Sequence, residues 1–380
     1  MAIELSSLTF TNQADIVPAS GVEQIFNTGI ANTLAGDDII TGTTTSTNFG
    51  IRNEGSINTD DGNDIITGTG YLGIYNTEIG SIDTGKGNDT ITGNGDNTGI
   101  FNPQSGGIID TGDGNDIITG TAEFGITNTG IIDTGNGNDI ITGISNKNFV
   151  GLLGIYQEPN GIINTGADND SIISKGNFTN RGNVFLGEGN DLIAADRYLS
   201  DGTLENFGFI GTGDGNDIIT TTGVIYNEGI IETGNGDDSI IVDGGVDDLT
   251  GTRYGIYNNR GAINMGDGSD SIIANEGFQS GPNSGGAWFL GEGDDYIKGY
   301  GSGDFYGGNG TDTLELTSGT YTVGIWGDAG ESPIFTKGNQ LMITSEFEKL
   351  KVGSTIYDFT SLTAGQIIFV AWWSCSGYKP

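Results

Sequence analysis

One aspartate recurs along most of this chain in the same local setting, and a carboxylate repeated at a regular spacing is a candidate cation ligand. The setting is T-G-x-G-N-D-x-I, as in residues 84–91. Glycines at the second and fourth positions allow a tight turn with positive φ that points carbonyl oxygens inward. Calcium takes about six to eight oxygen ligands, more than one such turn offers, so we expect each ion to be shared by two stacked turns. The repeated aspartates are Asp38, Asp64, Asp89, Asp116, Asp139, Asp170, Asp191, Asp217, Asp238, Asp270, Asp295 and Asp312.

The glycines of these turns are the second part of the predicted metal site, because their carbonyls would complete the ligand shell. The pattern weakens in three copies, where Leu34 and Asp60 occupy the second position and Asp168 occupies the fourth. The glycines predicted to take part are Gly85, Gly87, Gly112, Gly114, Gly135, Gly137, Gly213, Gly215, Gly234, Gly236, Gly266, Gly268, Gly291, Gly293, Gly308 and Gly310.

The spacing of the repeats predicts the fold that must position them. The mean period is about 25 residues, within the range of solenoids, and the residue two after each aspartate is always aliphatic. Two more aliphatic series recur once per repeat, represented by Ile57 and Ile51, so each repeat supplies about three short strands. Coils stacked about 4.8 Å apart would align each series into a buried stripe. We therefore predict an all-β parallel solenoid, β-roll or β-helix like, of about 12 coils with β-rich end caps.

Composition leaves two alternatives and excludes several functions. Apolar residues make up only 34% of the chain and Gly reaches 70 of 380 residues, which would suit a disordered polymer if the aliphatic series were less regular. A propeller normally needs a longer repeat. A net charge of −37 argues against nucleic-acid partners, and the absence of histidine excludes triads and His-ligated zinc. No apolar run is long enough for a membrane span, so none is expected.

The segment G-G-N-G-T-D-T-L-E, residues 307–315, matches G-G-x-G-x-D-x-U-x in full. Through it the chain resembles the RTX, or haemolysin-type, calcium-binding nonapeptide-repeat proteins. The other copies are similar but carry a different first residue, usually Thr. The resemblance extends over about residues 33–316 and implies calcium held between adjacent turns by aspartates and loop carbonyls. Twelve turns would then give about 11 ions. RTX β-rolls use two nonapeptides per coil, whereas this period contains one, which predicts a wider coil with calcium along one edge.

The two ends differ from the repeats. We predict an N-terminal cap over residues 1–32, the calcium-binding solenoid over 33–316, and an aromatic-rich C-terminal β cap over 317–380 that includes Trp372 and Trp373. Residues 347–359 resemble the tail that follows the repeats in many RTX-type proteins, which implies a type I secretion signal. No N-terminal signal peptide is evident. The one cysteine, Cys375, allows no internal disulfide.

The function predicted is that of a secreted, extracellular or cell-surface structural protein, stiffened by calcium and assembling end to end into filaments. In having little beyond repeats and short termini, the chain resembles the oscillin-like surface proteins of filamentous cyanobacteria. No catalytic set is recognised, so we do not expect an enzyme. The alternative is a calcium-dependent adhesin whose recurrent aromatics, such as Tyr75 and Phe101, bind a cell-surface polysaccharide. Ice binding needs an unbroken threonine array, and the row Thr67, Thr92, Thr119 and Thr142 is expected to break at Ser174, Ala194 and Val242.

Overall fold

The computed structural model describes residues 2–18, 23–45, 47–103, 106–147, 153–196, 202–246, 253–281, 286–326 and 332–371. Trp372, Trp373 and Cys375 lie outside these residues. Within them the regular structure is β-strand, apart from two 3-10 turns at Leu5–Ser7 and Phe359–Ser361. This composition follows from the sequence, since frequent glycine disfavours helix and the apolar period favours strands.

The strands are, in chain order, β1 (Ala2–Glu4), β2 (Ile16–Val17), β3 (Gln24–Asn27), β4 (Ile30–Asn32), β5 (Ile39–Thr43), β6 (Phe49–Asn53), β7 (Ser56–Asn58), β8 (Ile65–Asn76), β9 (Ser81–Asp83), β10 (Thr90–Asn102), β11 (Ile108–Asp110), β12 (Ile117–Ala122), β13 (Phe124–Asn128), β14 (Ile131–Asp133), β15 (Ile140–Ser145), β16 (Leu153–Gln157), β17 (Ile162–Asn164), β18 (Ser171–Lys175), β19 (Asn177–Asn180), β20 (Asn183–Glu188), β21 (Leu192–Asp196), β22 (Leu204–Asn206), β23 (Phe209–Asp214), β24 (Ile218–Thr221), β25 (Ile225–Asn227), β26 (Ile230–Asn235), β27 (Ser239–Val242), β28 (Gly245–Val246), β29 (Arg253–Tyr254), β30 (Ile256–Asn258), β31 (Ala262–Asp267), β32 (Ser271–Ala274), β33 (Phe278–Ser280), β34 (Ala287–Glu292), β35 (Tyr296–Lys298), β36 (Gly303–Asn309), β37 (Thr313–Glu315), β38 (Gly319–Trp326), β39 (Ser332–Lys337), β40 (Gln340–Ser345), β41 (Lys349–Val352), β42 (Thr355–Asp358) and β43 (Ile367–Val370).

These strands form a parallel β-solenoid, which confirms the predicted fold class. Each coil contributes a strand after the aspartate, a second strand beside it, and a third that leads into the next motif turn, as in β5, β6 and β7. Strands at the same place in successive coils form three rows, called the first, second and third row in the order just given. The first two rows make up a 25-stranded sheet, and the third row belongs to a 16-stranded sheet. Pairing from coil to coil is parallel and in register, for example Ile40 with Ile66 and Ile57 with Ile82.

The core consists of the three predicted aliphatic stripes, which lie between the two sheets. Every side chain of the stripes is at most 1% exposed. Phe178, Leu204 and Phe278 belong to the stripe of the second row, in coils where this position is not isoleucine. The stripe members are Ile40, Ile66, Ile91, Ile118, Ile141, Ile172, Ile193, Ile219, Ile240, Ile272, Ile297 and Leu314 in the first row, Ile51, Ile74, Ile100, Ile126, Ile155, Phe178, Leu204, Ile225, Ile256 and Phe278 in the second, and Ile57, Ile82, Ile109, Ile132, Ile163, Val184, Ile210, Ile231, Ile263, Trp288 and Phe305 in the third.

Both ends of the stack are covered by other strands or turns. Near the N-terminus β3 and β4 already pair in parallel with β6 and β7, so strands of the stack begin inside the predicted cap. At the C-terminus β40 and β41 form a last parallel layer on β36 and β37. Antiparallel strands then extend both sheets, β39, β38 and β43 on one and β42 on the other. At the C-terminal end of the described residues no parallel coil is therefore left uncovered. Head-to-tail assembly by coil-on-coil stacking would need such a coil.

Candidate metal centre

The twelve motif aspartates form one buried column along the edge between the third-row and first-row strands. Each is at most 2% exposed, because the turn that carries it folds over the end of the core. The backbone N–H of each of the first eleven, from Asp38 to Asp295, donates to Oδ1 of the aspartate in the next coil, at distances of 2.7–3.0 Å. The structure thus brings together all of the aspartates predicted from sequence.

The second oxygen of every one of these carboxylates is left without a partner. Oδ2 is buried in all twelve copies, from Asp38 to Asp312, and has no donor in good hydrogen-bond geometry. In eight copies the hydroxyl of the first-position threonine lies near the carboxylate, as that of Thr84 does for Asp89, but the Thr84 hydroxyl donates to a carbonyl of the next coil. Burial consequently raises the pKa of the column: that of Asp89 and Asp139 to about 7, and that of Asp64 to about 6. A buried carboxylate oxygen without a donor is costly unless a cation satisfies it. The column therefore has the chemistry of a row of cation ligands.

The predicted glycines shape the turns between these aspartates as expected. Gly85 and Gly87 have φ values of +89° and +142°, which side chains rarely adopt, and later copies repeat this pair of values closely. A Cβ on Gly87 would collide with the carbonyl oxygen of Gly62 in the preceding coil, and one on Gly114 would collide with that of Gly87. A carbonyl oxygen thus lies against each fourth-position glycine, where only hydrogen leaves enough space.

The three departures from the glycine pattern all have positive φ. Leu34 and Asp60, at +68° and +60°, take a left-handed conformation like that of the second-position glycines, whereas Asp168, at +82°, differs from fourth-position glycines such as Gly137 at +127°. The cost for a residue other than glycine is about 1–2 kcal/mol. Asp38 and Asp64, which belong to the first two copies, have the same unpartnered Oδ2 as the later aspartates.

The first-position threonine and the fifth-position asparagine have roles that sequence comparison did not assign. The Thr84 hydroxyl donates to the carbonyl of Thr111 in the next coil. The N–H of Asn88 donates to Oδ1 of Asn63 in the preceding coil. Each turn is therefore bonded forward through the aspartate N–H and backward through its fifth residue. The repeated N-D pair was the signal that could have revealed this arrangement.

Each end of the column is closed by a residue outside the repeats. At the N-terminal end Asp15 N–H donates to Oδ1 of Asp38, and at the C-terminal end Glu348 accepts from Asp312 N–H at 2.8 Å. Only Phe347 separates Glu346 from Glu348, whereas four residues fill the equivalent turn between Gly307 and Asp312. The last layer thus has no loop of carbonyls, and the column of complete turns stops at Asp312.

No three Asp, Glu or Cys side chains in the described ranges come together as a metal-binding group, and this includes the aspartates of the column. A cation on the aspartate column would accordingly need main-chain oxygens for most of its ligands. That requirement fits a hard, oxygen-seeking ion such as calcium better than a soft one.

Two rows of half-buried side chains bear on the other predicted functions. Thr41, Thr67, Thr92, Thr119 and Thr142 are aligned in register, and the row breaks at the next coil. The predicted positions of two breaks were wrong by one residue. The residues that stand in the threonine row are Ile173, not Ser174, and Ile241, not Val242. Ala194 does stand in the row, as predicted.

Aromatic side chains of the second-row strands, each next to a buried asparagine, stack on one another in pairs. The rings of Tyr75 and Phe101 have centroids 5.4 Å apart at 22°, and those of Tyr226 and Tyr257 are 5.1 Å apart at 20°. In each pair one face of a ring is covered by its neighbour and is not free for a sugar ring. Thr127 and Thr179 stand on either side of Tyr156 and interrupt the aromatic row.

No protein family and no curated protein sequence matches the chain. Among solved structures, the chain is similar to a hyperactive, Ca²⁺-dependent, β-helical antifreeze protein from an Antarctic bacterium, at 21% identity and a TM-score of 0.39. The likeness covers 76% of this chain and 84% of that one. Nothing about ligands or activity follows from a likeness at this level. Within the described residues, no helix is long and apolar enough to cross a membrane.

Proposed function

We propose that this chain is a calcium-binding structural protein, in which ions along the aspartate column stiffen a secreted solenoid. The observation that carries the proposal is the set of twelve buried Oδ2 atoms without a hydrogen-bond partner. One such atom could be an accident of a single turn. Twelve in register form a repeated acceptor site that a hard cation would satisfy.

The residues that would hold calcium are the column aspartates, through Oδ2, and the turn glycines, through their carbonyls. The ion would supply positive charge to a chain whose formal charge is −37. The chain itself supplies the alignment, because the N–H to Oδ1 bonds fix every carboxylate relative to the next. Since the unfolded chain has no such alignment, binding stabilises the fold, by about 2.7 kcal/mol per site at 100 times the dissociation constant.

The test is a calcium titration of metal-depleted protein, followed by circular dichroism and thermal melting. We expect calcium to raise the β-sheet signal and the melting temperature, and magnesium at equal concentration to do so much less, because its octahedral preference suits carbonyl turns poorly. Mass spectrometry under native conditions would count the bound ions against the predicted number of about 11. An unchanged spectrum together with no bound calcium would contradict the proposal.

We place the protein outside the cell, at the cell surface or in the extracellular matrix, and in a structural role without catalysis. This placement rests on the proposed calcium binding, since extracellular modules work with affinities of about 10⁻⁴–10⁻³ M that the cytosol does not meet. Type I secretion, implied by the RTX resemblance, is part of this proposal. Fractionation of producing cells, with the chain found only in the cytosol, would contradict it. The polysaccharide-binding alternative has less support, because the aromatic rings stack on one another.

A further inference from the structure

The C-terminal cap has a sheet face that differs from the rest of this acidic surface. It is the outer face of β38, β39, β40 and β43, called the cap face below. Side chains alternate along these strands, so that Ile368 and Val370 are buried while Ile367 and Phe369 are 60% and 66% exposed. Trp326, at the end of β38, is 60% exposed. Large apolar side chains exposed together in this way mark an interaction surface more often than chance.

The four strands of the cap face place no charged side chain on it, and the nearest carboxylate in the sheet is Asp304 of β36, which pairs with Ile343 at its border. Lys337 is the one charged residue in the four strands. Its Nζ donates to the carbonyl of Ser318 and lies 5.2 Å from the ring centroid of the buried Tyr321, which places it on the opposite side of the sheet. Residues 359–378, which include β43, form a run of twenty without a single charge.

The register across the cap sheet makes this face continuous. Thr322 pairs with Ile367 and Thr320 with Phe369, and on the other side of β38 Gly324 pairs with Ile334. Among the described residues, β43 pairs with β38 alone and ends the 16-stranded sheet. Natural edge strands are usually protected by charge, and this one has none.

The other ends of the two sheets are protected. Glu4 lies in β1, and its carboxylate accepts the N–H of Thr28 beside β4. On β42, Asp358 pairs with Lys349. These edges therefore present carboxylates to any second molecule, whereas the cap face does not.

We propose that the cap face packs against the cap face of a second copy of this chain, which joins two solenoids at their C-terminal ends. Two molecules that each carry −37 charges repel, so association requires a surface without charge. A twofold arrangement places the same face on both sides, and an uncharged face is compatible with itself. The product is a closed pair rather than the open filament that head-to-tail stacking would give.

The first test is the mass of the full chain in calcium and reducing agent, by size exclusion with light scattering. We expect twice the 39.4 kDa of one chain. Phe369→Glu, which places two carboxylates in the interface, should weaken the dimer by at least about a hundredfold. Ile356→Glu is the matched control, since Ile356 is 62% exposed in the same cap but on β42, and it should leave the mass unchanged. A monomeric wild-type chain at 100 times the protein concentration of the first run, or equal loss in both variants, would overturn the proposal.

The second test distinguishes the arrangement of the two copies. A spin label at Thr322→Cys, with Cys375→Ser to remove the native thiol, should give a short label-to-label distance by pulsed electron resonance. A label at Ser7→Cys, at the far end of the solenoid, should give none. A short distance at Ser7 or a mass that grows with concentration would instead indicate another assembly. The proposal does not depend on calcium binding, because circular dichroism of the same samples reports that separately.

Discussion

Two columns of short polar side chains run along the inside of the solenoid, and both are fully buried. The asparagine column stands at the end of the second-row strands, where Asn76 Nδ2 donates to Asn102 Oδ1 and to the carbonyl of Ile108. The aspartate column stands at the motif turn, where the donor is the backbone N–H and Oδ2 is left over. The members of the first column are Asn27, Asn53, Asn76, Asn102, Asn128, Gln157, Asn180, Asn206, Asn227 and Asn258.

The difference between the columns comes from the side-chain group. An amide has both donors and acceptors, so a stack of amides can satisfy itself, and only the first member, Asn27, keeps a free Oδ1. An ionised carboxylate has acceptors alone, so a stack of carboxylates must be completed from outside. The hydrogen-bonding groups of one edge of the coil thus satisfy one another, whereas the other edge keeps a row of acceptors that its own coil does not fill.

The largest expected contrast is in the pH dependence of the calcium-free chain. Burial raises the pKa of Asp89, Asp139 and Asp170 to about 7 from an ordinary value of 3.8, so the folded chain binds more protons than the unfolded chain between these limits. The groups next to Asp139 that raise its pKa further are the carboxylates of Asp116 and Asp168. The free energy of unfolding should then be highest near pH 4 and fall as the pH rises to about 7.

Denaturant melts at several pH values, with and without calcium, check this expectation. Saturating calcium should flatten the fall, because the bound carboxylates stay ionised. The amides of the asparagine column do not titrate, so they contribute nothing to the dependence of the free energy of unfolding on pH. Stability of the calcium-free chain that rises between pH 4 and 7 would contradict the assignment.

Exchanging the two side-chain types should break each column in its own way. Asn128→Asp removes the donor to Gln157 Oε1 and to the carbonyl of Ile162 and adds a buried charge, which should cost about 3–5 kcal/mol with or without calcium. Asp139→Asn removes an unpaired buried charge, so it should raise the melting temperature of calcium-free protein and lower that of calcium-loaded protein. Asn138→Asp, in the exposed neighbouring row, is the control and should change either value little.

The smallest expected effect concerns the turns themselves. Leu34→Gly relieves a positive φ of +68° and should raise the free energy of unfolding by about 1 kcal/mol. The matched change in the opposite sense is Gly112→Ala, whose Cβ would meet the carbonyl of Gly85. Chemical melts of the two variants should move in opposite directions, and a shift of the same sign would show that the turns are not equivalent.

Much of this arrangement could be predicted from the sequence. The period, the three aliphatic stripes and the aspartate column are all local patterns that are repeated many times, and repetition makes a weak signal clear. Single events were harder to predict. The ends of the column at Asp15 and Glu348 occur once each, and the break of the threonine row was misplaced by one residue at Ser174 because insertions hide the register.

The sequence by itself determined that a carboxylate and a glycine turn recur once in every coil. Tertiary structure alone decided which oxygen of each carboxylate is used, because the N–H that takes Oδ1 belongs to a residue about 25 positions away. It also decided that Ile367, Phe369 and Trp326 share one uncharged face, since antiparallel pairing brings β43 beside β38. Local patterns fix what each coil contains, whereas the contacts between coils fix what remains unsatisfied.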